Sequence, residues 1–200
     1  MLSLFELDQL TVRCRKDSHL TRAKEYDLLD SAGAVLGSAT QDTGSWGSAM
    51  RRRIASSRAR MPADFDVRDG SGALLAHVAT RRMGVLRRYL RAEVSLADEG
   101  VVAIASSSPG LLVRLGFGVS DGSGRAVAQV GRAGRTFLAI TGTHQELYGA
   151  VDLEANTRSA RKAGTAHPNS YVIRFEPAAP PVVRIATLGV VFVVDSLRGS

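Results

Sequence analysis

A mainly β chain, closed as an antiparallel barrel around its own C-terminal helix, is the fold this sequence predicts. Three observations predict it. One hairpin pattern recurs three times, further short apolar runs of strand length are punctuated by glycines, and residues 185–194 form a run that is apolar on every helical face. The chain has 200 residues and is 44% hydrophobic and 22% charged. That suffices for one ordinary domain with a full core, here taken as residues 1–200, and excludes a disordered chain.

The repeated segments are Tyr26–Ala39, Phe65–Val78 and Phe117–Val130. Aligned without gaps, each reads aromatic, x, aliphatic, x, Asp, x, x, Gly, x, x, aliphatic, small, x, apolar. Alternation before the Asp marks a half-buried strand. Asp30, Asp69 and Asp121 can accept local backbone N–H bonds, and Gly33, Gly72 and Gly124 can take positive φ. Alternation then resumes, so each segment is a hairpin. Asp69-Gly-Ser-Gly and Asp121-Gly-Ser-Gly lack the further oxygen ligands and closing glutamate of a calcium loop, which leaves them as structural turns.

Residues 89–96 and 101–105 flank Ala-Asp-Glu-Gly as a further hairpin, and residues 135–140, 147–153 and 171–175 read as strands. Short strands with turn signals at this spacing indicate a sandwich or barrel. Residues 48–60 and 154–167 interrupt the pattern as long connections, the first with the alternative of a short surface helix.

The C-terminal stretch opens with Pro180-Pro181, which can start a helix but not continue a strand. On a helix of about 181–197, Ile185, Leu188 and Phe192 line one side. Ala186, Val190, Val193 and Leu197 line a second, and Val183, Val191 and Val194 a third. Such a helix must be surrounded on all sides. Ten residues rise only about 15 Å, half the hydrocarbon thickness of a bilayer, and Arg184 and Asp195 bracket the run. A barrel can enclose it instead. The competing reading is a Val-rich strand. Arg184 and Asp195 each oppose the helix macrodipole and lie too far apart to pair, so each is expected to meet a partner at opposite barrel mouths.

The net charge is +7, and 23 of the 26 basic residues are arginines, the lysines being Lys16, Lys24 and Lys162. Eleven arginines fall between residues 51 and 91: Arg51, Arg52, Arg53, Arg58, Arg60, Arg68, Arg81, Arg82, Arg87, Arg88 and Arg91. Only Asp64, Asp66 and Asp69 oppose them, so this window carries +8. Such a patch suits phosphates of lipid headgroups or nucleic acid; the alternative is a solvated barrel rim. Trp46 stands five residues before Arg51, as a membrane-interface aromatic would, or as a ring packed on the barrel wall. Few aromatics interleave the arginines, which argues against nucleic acid.

No Gly-x-Ser-x-Gly elbow, phosphate loop or His-Glu-x-x-His motif is present, and His19, His77, His144 and His167 lack metal-ligand spacing. No catalytic residue, metal or cofactor is expected, and His77 reads as a strand surface residue. One cysteine, Cys14, excludes internal disulfides and Cys-based zinc sites. With no secretory signal in the first residues, a cytoplasmic location, peripheral at a membrane, is the expectation.

Tyr171-Val-Ile-Arg-Phe175, the following run to Arg184 and Gly189-Val-Val-Phe-Val-Val-Asp195 resemble the C-terminal end of phospholipid scramblases. The hairpin repeats are similar to those of scramblases and of plant LURP-one-related proteins, all of the tubby C-terminal-like superfamily. The resemblance covers roughly residues 20–198. It implies about twelve strands around a central helix and association with phospholipid membranes. In scramblases, calcium triggers lipid mixing between leaflets. The corresponding loop here is Glu176-Pro-Ala-Ala-Pro-Pro181, with Ala178 and Pro180 in place of carboxylates. The palmitoylated cysteine cluster is absent. The sequence thus reads as a non-catalytic barrel that binds anionic phospholipid through Arg51, Arg52, Arg53, Arg58, Arg60, Arg81, Arg82, Arg87, Arg88 and Trp46, without calcium-triggered scrambling. The alternative is a soluble regulatory module that binds a protein or small ligand.

Overall fold

The computed structural model describes residues 4–17, 24–42, 63–83, 89–107, 116–134, 137–153 and 170–198. They form twelve strands and one helix. The strands are β1 (Gln9–Asp17), β2 (Lys24–Leu29), β3 (Val35–Asp42), β4 (Asp64–Asp69), β5 (Leu74–Met83) and β6 (Tyr89–Leu96), followed by β7 (Gly100–Ser107), β8 (Phe117–Asp121), β9 (Ala126–Arg132), β10 (Phe137–Gly142), β11 (Leu147–Asp152) and β12 (Ser170–Phe175). Each strand pairs antiparallel with its sequence neighbours, and β1 pairs with β12, so the sheet closes. Closure leaves no free edge. The long segments 48–60 and 154–167 lie wholly outside the described residues.

A meander of this kind places alternate connections at opposite mouths. The β2–β3, β4–β5, β6–β7, β8–β9 and β10–β11 turns are tight and share one mouth; the strand ends that the six longer connections join lie at the other. The three repeated turns have one geometry. Asp69 Oδ1 accepts from the N–H groups of Ser71 (2.8 Å) and Ala73 (3.0 Å), and Gly72 donates its N–H to the Asp69 carbonyl at 3.0 Å. Asp30 and Asp121 do the same. Gly33, Gly72 and Gly124 have φ of 85°, 88° and 87°, where a Cβ is costly. In each of the three turns the Asp Oδ1 is taken up by N–H groups of the turn itself, the role the turn chemistry assigns it.

In all five tight hairpins the strand leaving the turn carries a β-bulge at the same place. The extra residue is Leu36, Leu75, Val102, Val127 or Tyr148. Each packs partly buried against the core. The apolar residue just before it, Val35, Leu74, Val101 or Leu147, stays exposed, with Ala126 at the equivalent place on β9.

The helix α1 (Pro181–Arg198) fills the interior. Every residue from Val183 to Asp195 is buried. Phe192 stacks on Phe65 of β4 (ring centroids 4.6 Å apart) and lies against Tyr26 of β2 (5.1 Å). On another side, a Cβ built at Gly189 would stand 3.1 Å from Ala92 and 3.2 Å from Val94 of β6. Glycine therefore brings the helix backbone close to the small residues of that wall. The Val-rich segment is a helix, not a strand, because the barrel offers it apolar contacts all around. No helix among the described residues is long and apolar enough to cross a membrane.

Candidate functional site

The helix enters from the mouth of tight turns and ends at the mouth of long connections. Each end is held by one charged side chain, as expected from Arg184 and Asp195. Arg184 is buried, donating to the carbonyl oxygens of Leu7 (2.6 Å), Ala179 (3.1 Å) and Glu176 (3.2 Å) and reaching Asp8 at 3.4 Å. Its guanidinium lies 5.1 Å from the Phe175 ring centroid. Carbonyl oxygens of the 176–181 loop are therefore occupied by a guanidinium. At the other end the fully buried Asp195 carboxylate accepts from the Tyr26 hydroxyl (2.6 Å), the Tyr171 hydroxyl (2.7 Å) and the Lys24 ammonium. Burial and, next, the adjacent Asp195 charge push the Tyr26 hydroxyl well above the usual tyrosine range. Lys24 also reaches the Asp195 carbonyl at 3.4 Å, so it serves the helix end as well as the carboxylate.

The two mouths differ in charge. The tight-turn mouth gathers Glu6, Asp8, Asp30, Asp69, Asp98, Glu99, Asp121, Glu146 and Glu176 against Arg68, Arg125 and Arg184. Asp69, Asp121 and Glu146 are all held below the ordinary carboxylate range, first by hydrogen bonds from Ser71, Ser123 and Tyr148 respectively. All six connections joining strand ends at the opposite mouth are net positive by sequence. They hold Arg22, then Arg51, Arg52, Arg53, Arg58 and Arg60, then Arg87 and Arg88, then Arg114, then Arg135, and finally Arg158, Arg161 and Lys162 against Glu154. Together they carry +12, more than the +7 of the whole chain. The helix runs with its positive dipole end at the acidic mouth and its negative end at the basic one.

Of the sequence-predicted site, Arg51, Arg52, Arg53, Arg58, Arg60, Arg87, Arg88 and Trp46 lie outside the described residues, and for Arg82 only its place on β5 is described. Arg81 is paired through both guanidinium nitrogens with Asp64 across the β4–β5 hairpin. The neighbouring Arg68 pairs with Asp66 (3.2 Å) and Arg91 with Glu93 (2.7 Å). Register sets Arg81 directly opposite Arg91, and Asp64 and Glu93 offset that like-charge contact. On the described wall, then, positive charge is locally matched. The excess in the 51–91 window belongs to Arg82 and the two connections. His77 sits on the outer wall 3.1 Å from Asp66, consistent with the surface reading. Among the described residues no cluster of three metal-ligating side chains occurs.

With this geometry in hand, comparison with known proteins bears on the fold. A crystal structure of an Arabidopsis thaliana protein, AT5G01750, matches with a TM-score of 0.52, covering 97% of this chain and 94% of that one. The sequences are 10% identical. The likeness is one of fold, extending over the whole barrel and its helix. No family model matches the sequence, and no curated protein matches it.

Sequence reasoning missed Lys24, Tyr26 and Tyr171 as partners of Asp195. Tyr26 and Tyr171 were legible only as strand aromatics. Their convergence on one carboxylate depends on barrel closure, which brings β2 and β12 to within one strand of each other.

Proposed function

We propose that this chain is a non-catalytic barrel of the scramblase-like and LURP-one-related kind, which associates peripherally with anionic phospholipid surfaces. It docks through the mouth where α1 ends. The observation that carries the reading is the uniform sign of the six connections joined there, +12 in all, set against an acidic far mouth. A charge dipole along the barrel axis orients the molecule before contact and gathers it at a negative surface. The barrel interior is taken up by its own helix, so lipid acyl chains have no lumen to enter and binding rests on headgroups. Calcium-triggered scrambling has no support in the 176–181 loop, where Arg184 holds the carbonyl oxygens.

Arg51, Arg52, Arg53, Arg58, Arg60, Arg87 and Arg88 are the principal contacts under this reading, with Arg82 beside them and Trp46 at headgroup depth. Arg81, being paired with Asp64, contributes less. Co-sedimentation with phosphatidylcholine vesicles, with and without phosphatidylserine, is the test. Binding is expected only with the anionic lipid and is lost as salt rises from about 0.02 M to about 0.5 M. Replacing Arg51, Arg52 and Arg53 by Ser removes about 3 kcal/mol, roughly a hundredfold in affinity. Equal binding to neutral and anionic vesicles rejects the proposal.

A further inference from the structure

Five large hydrophobic side chains are exposed among the described residues, and four of them, Val35, Leu74, Val101 and Leu147, stand behind the acidic tight turns. The fifth, Phe137, stands at the basic mouth. It opens β10, faces out of the barrel and is 40% exposed, while the next residue, Leu138, is buried inside. Its carbonyl accepts from the Ala133 N–H (3.1 Å), and Arg132 Nε donates to the Gly134 carbonyl (2.9 Å), so the end of β9 is tied to the start of β10. Arg132, Ala133 and Gly134 are all exposed. An aromatic ring is thus fixed near a guanidinium on the rim that collects the chain's positive charge.

The wall that rises from this rim carries no charge. The other outward positions of β8 to β10 are Gly118, Ser120, Gln129, Gly131, Ala139 and Thr141. A Cβ built at Gly131 meets nothing within 4 Å, and one at Gly118 meets only the Ser106 carbonyl at 3.9 Å. The wall is therefore flat because side chains are missing, not because a neighbour crowds them out. The outer face of β4 to β6 is the opposite case, with Asp64, Asp66, Arg81, Arg91 and Glu93. Beside the ring, Asp152 of β11 lies opposite Phe137 in register, and Arg174 of β12 stands 4.0 Å from its carboxylate.

Laying a charged wall on a bilayer strips water from every ion on it, whereas an uncharged wall of small residues loses little. Aromatic rings settle at headgroup depth, with basic side chains beside them on the phosphates. We infer that Phe137, with the neighbouring Arg132, enters the interface of an anionic phospholipid surface, and that the barrel tilts so that the β8–β10 wall faces the bilayer. This rests on the membrane reading above and adds an apolar contact and an orientation to headgroup binding.

Site-directed fluorescence, run beside vesicle co-sedimentation, is the experiment. With Cys14→Ser as background, a single cysteine replaces Phe137, Gln129, His77 or Leu147 and carries an environment-sensitive nitrobenzoxadiazole label. All four side chains reach solvent, and an unchanged urea midpoint confirms that each variant folds. On adding phosphatidylcholine vesicles that contain phosphatidylserine, the label at 137 should brighten and shift to the blue, and a nitroxide on the lipid headgroup should quench it. The label at 129 should respond in part, and those at 77 and 147 not at all. Phe137→Ser should weaken co-sedimentation roughly three- to eightfold, the share of a phenylalanine's burial that its 40% exposure leaves to be gained. Leu147→Ser, at the far mouth, should leave it unchanged. A protein that sediments with the vesicles while the label at 137 stays dark overturns this inference and leaves the membrane reading standing, as do equal responses at 137 and 147. Equal responses at 129 and 77 overturn the tilt. A protein that does not sediment with anionic vesicles overturns both readings.

Discussion

Replacing Asp195 by Asn probes the lock at the end of α1. The carboxylate is fully buried and accepts from Tyr26, Tyr171 and Lys24. An amide keeps the shape, and the two tyrosine hydroxyls can rotate to accept from its NH₂. Lys24 cannot adapt, because an ammonium only donates. Its side chain is 13% exposed, so it is left with its charge nearly buried and uncompensated. Removing one partner of a buried pair costs about 3–5 kcal/mol, and the residual exposure of Lys24 places this variant near 3 kcal/mol. For a domain of this size that lowers Tm by about 6–12 °C. Urea unfolding followed by far-UV circular dichroism measures it. Adding Lys24→Met removes the stranded charge, so the double variant should regain at least about 1 kcal/mol over Asp195→Asn alone. A loss below about 1 kcal/mol for Asp195→Asn, additive with that of Lys24→Met, refutes the reasoning.

The same cluster sets the alkaline limb of stability. Tyr26 holds its proton more tightly folded than unfolded, so its contribution is whole below pH ~10 and drains as pH climbs from there toward the raised folded value. Tyr26→Phe should flatten that limb while costing about 1.5–3 kcal/mol at neutral pH, read from urea titrations at several pH values. The acid limb has the opposite sign. Asp69 and Asp121 titrate below their ordinary value, so they stabilise above pH ~4 and cease to do so as pH falls through the depressed folded value. Asp69→Asn with Asp121→Asn should make acid unfolding less steep. Phe192→Ala empties the space between Phe65 and Tyr26 and should cost about 3–5 kcal/mol. Gly124→Val, at φ 87°, should cost about 1–2 kcal/mol with an unchanged far-UV spectrum.

Much of the fold was legible because local chemistry and global topology agree. Each Asp-x-x-Gly turn states its own geometry, and a helix apolar on every face states that it must be enclosed. Two elements escaped. Strand β1 does alternate, with Leu10 and Val12 buried, but no turn signal follows it, since its link to β2 is one of the long connections. The Gly142–Glu146 turn hides its kinship with the others. Gln145 takes the left-handed position (φ 68°) that Gly holds elsewhere. Glu146, from the far side of the turn, accepts from the His144 N–H at 2.9 Å in place of the missing Asp.

The candidate site was legible as composition but not as arrangement. That eleven arginines cluster by sequence is plain, and Arg68–Asp66 and Arg91–Glu93 are same-strand pairs two residues apart; that Arg81 is matched by a carboxylate requires strand register. Arg81 and Asp64 are seventeen residues apart and meet only through the β4–β5 pairing. The separation of acidic and basic mouths is likewise invisible until the meander assigns alternate connections to opposite ends. The net charge of +7 conceals both the +12 of one mouth and the acidic excess of the other.

Thiol accessibility inside the helix measures the enclosure of α1 most directly. With Cys14→Ser as background, Val190→Cys places a near-isosteric thiol at a wholly buried helical position. The account predicts no modification by a water-soluble maleimide in native buffer or with anionic vesicles present, and complete modification in urea. Labelling in native buffer at the rate of a free thiol, or protection that appears only when vesicles are added, would mean that the strands do not sheath the helix.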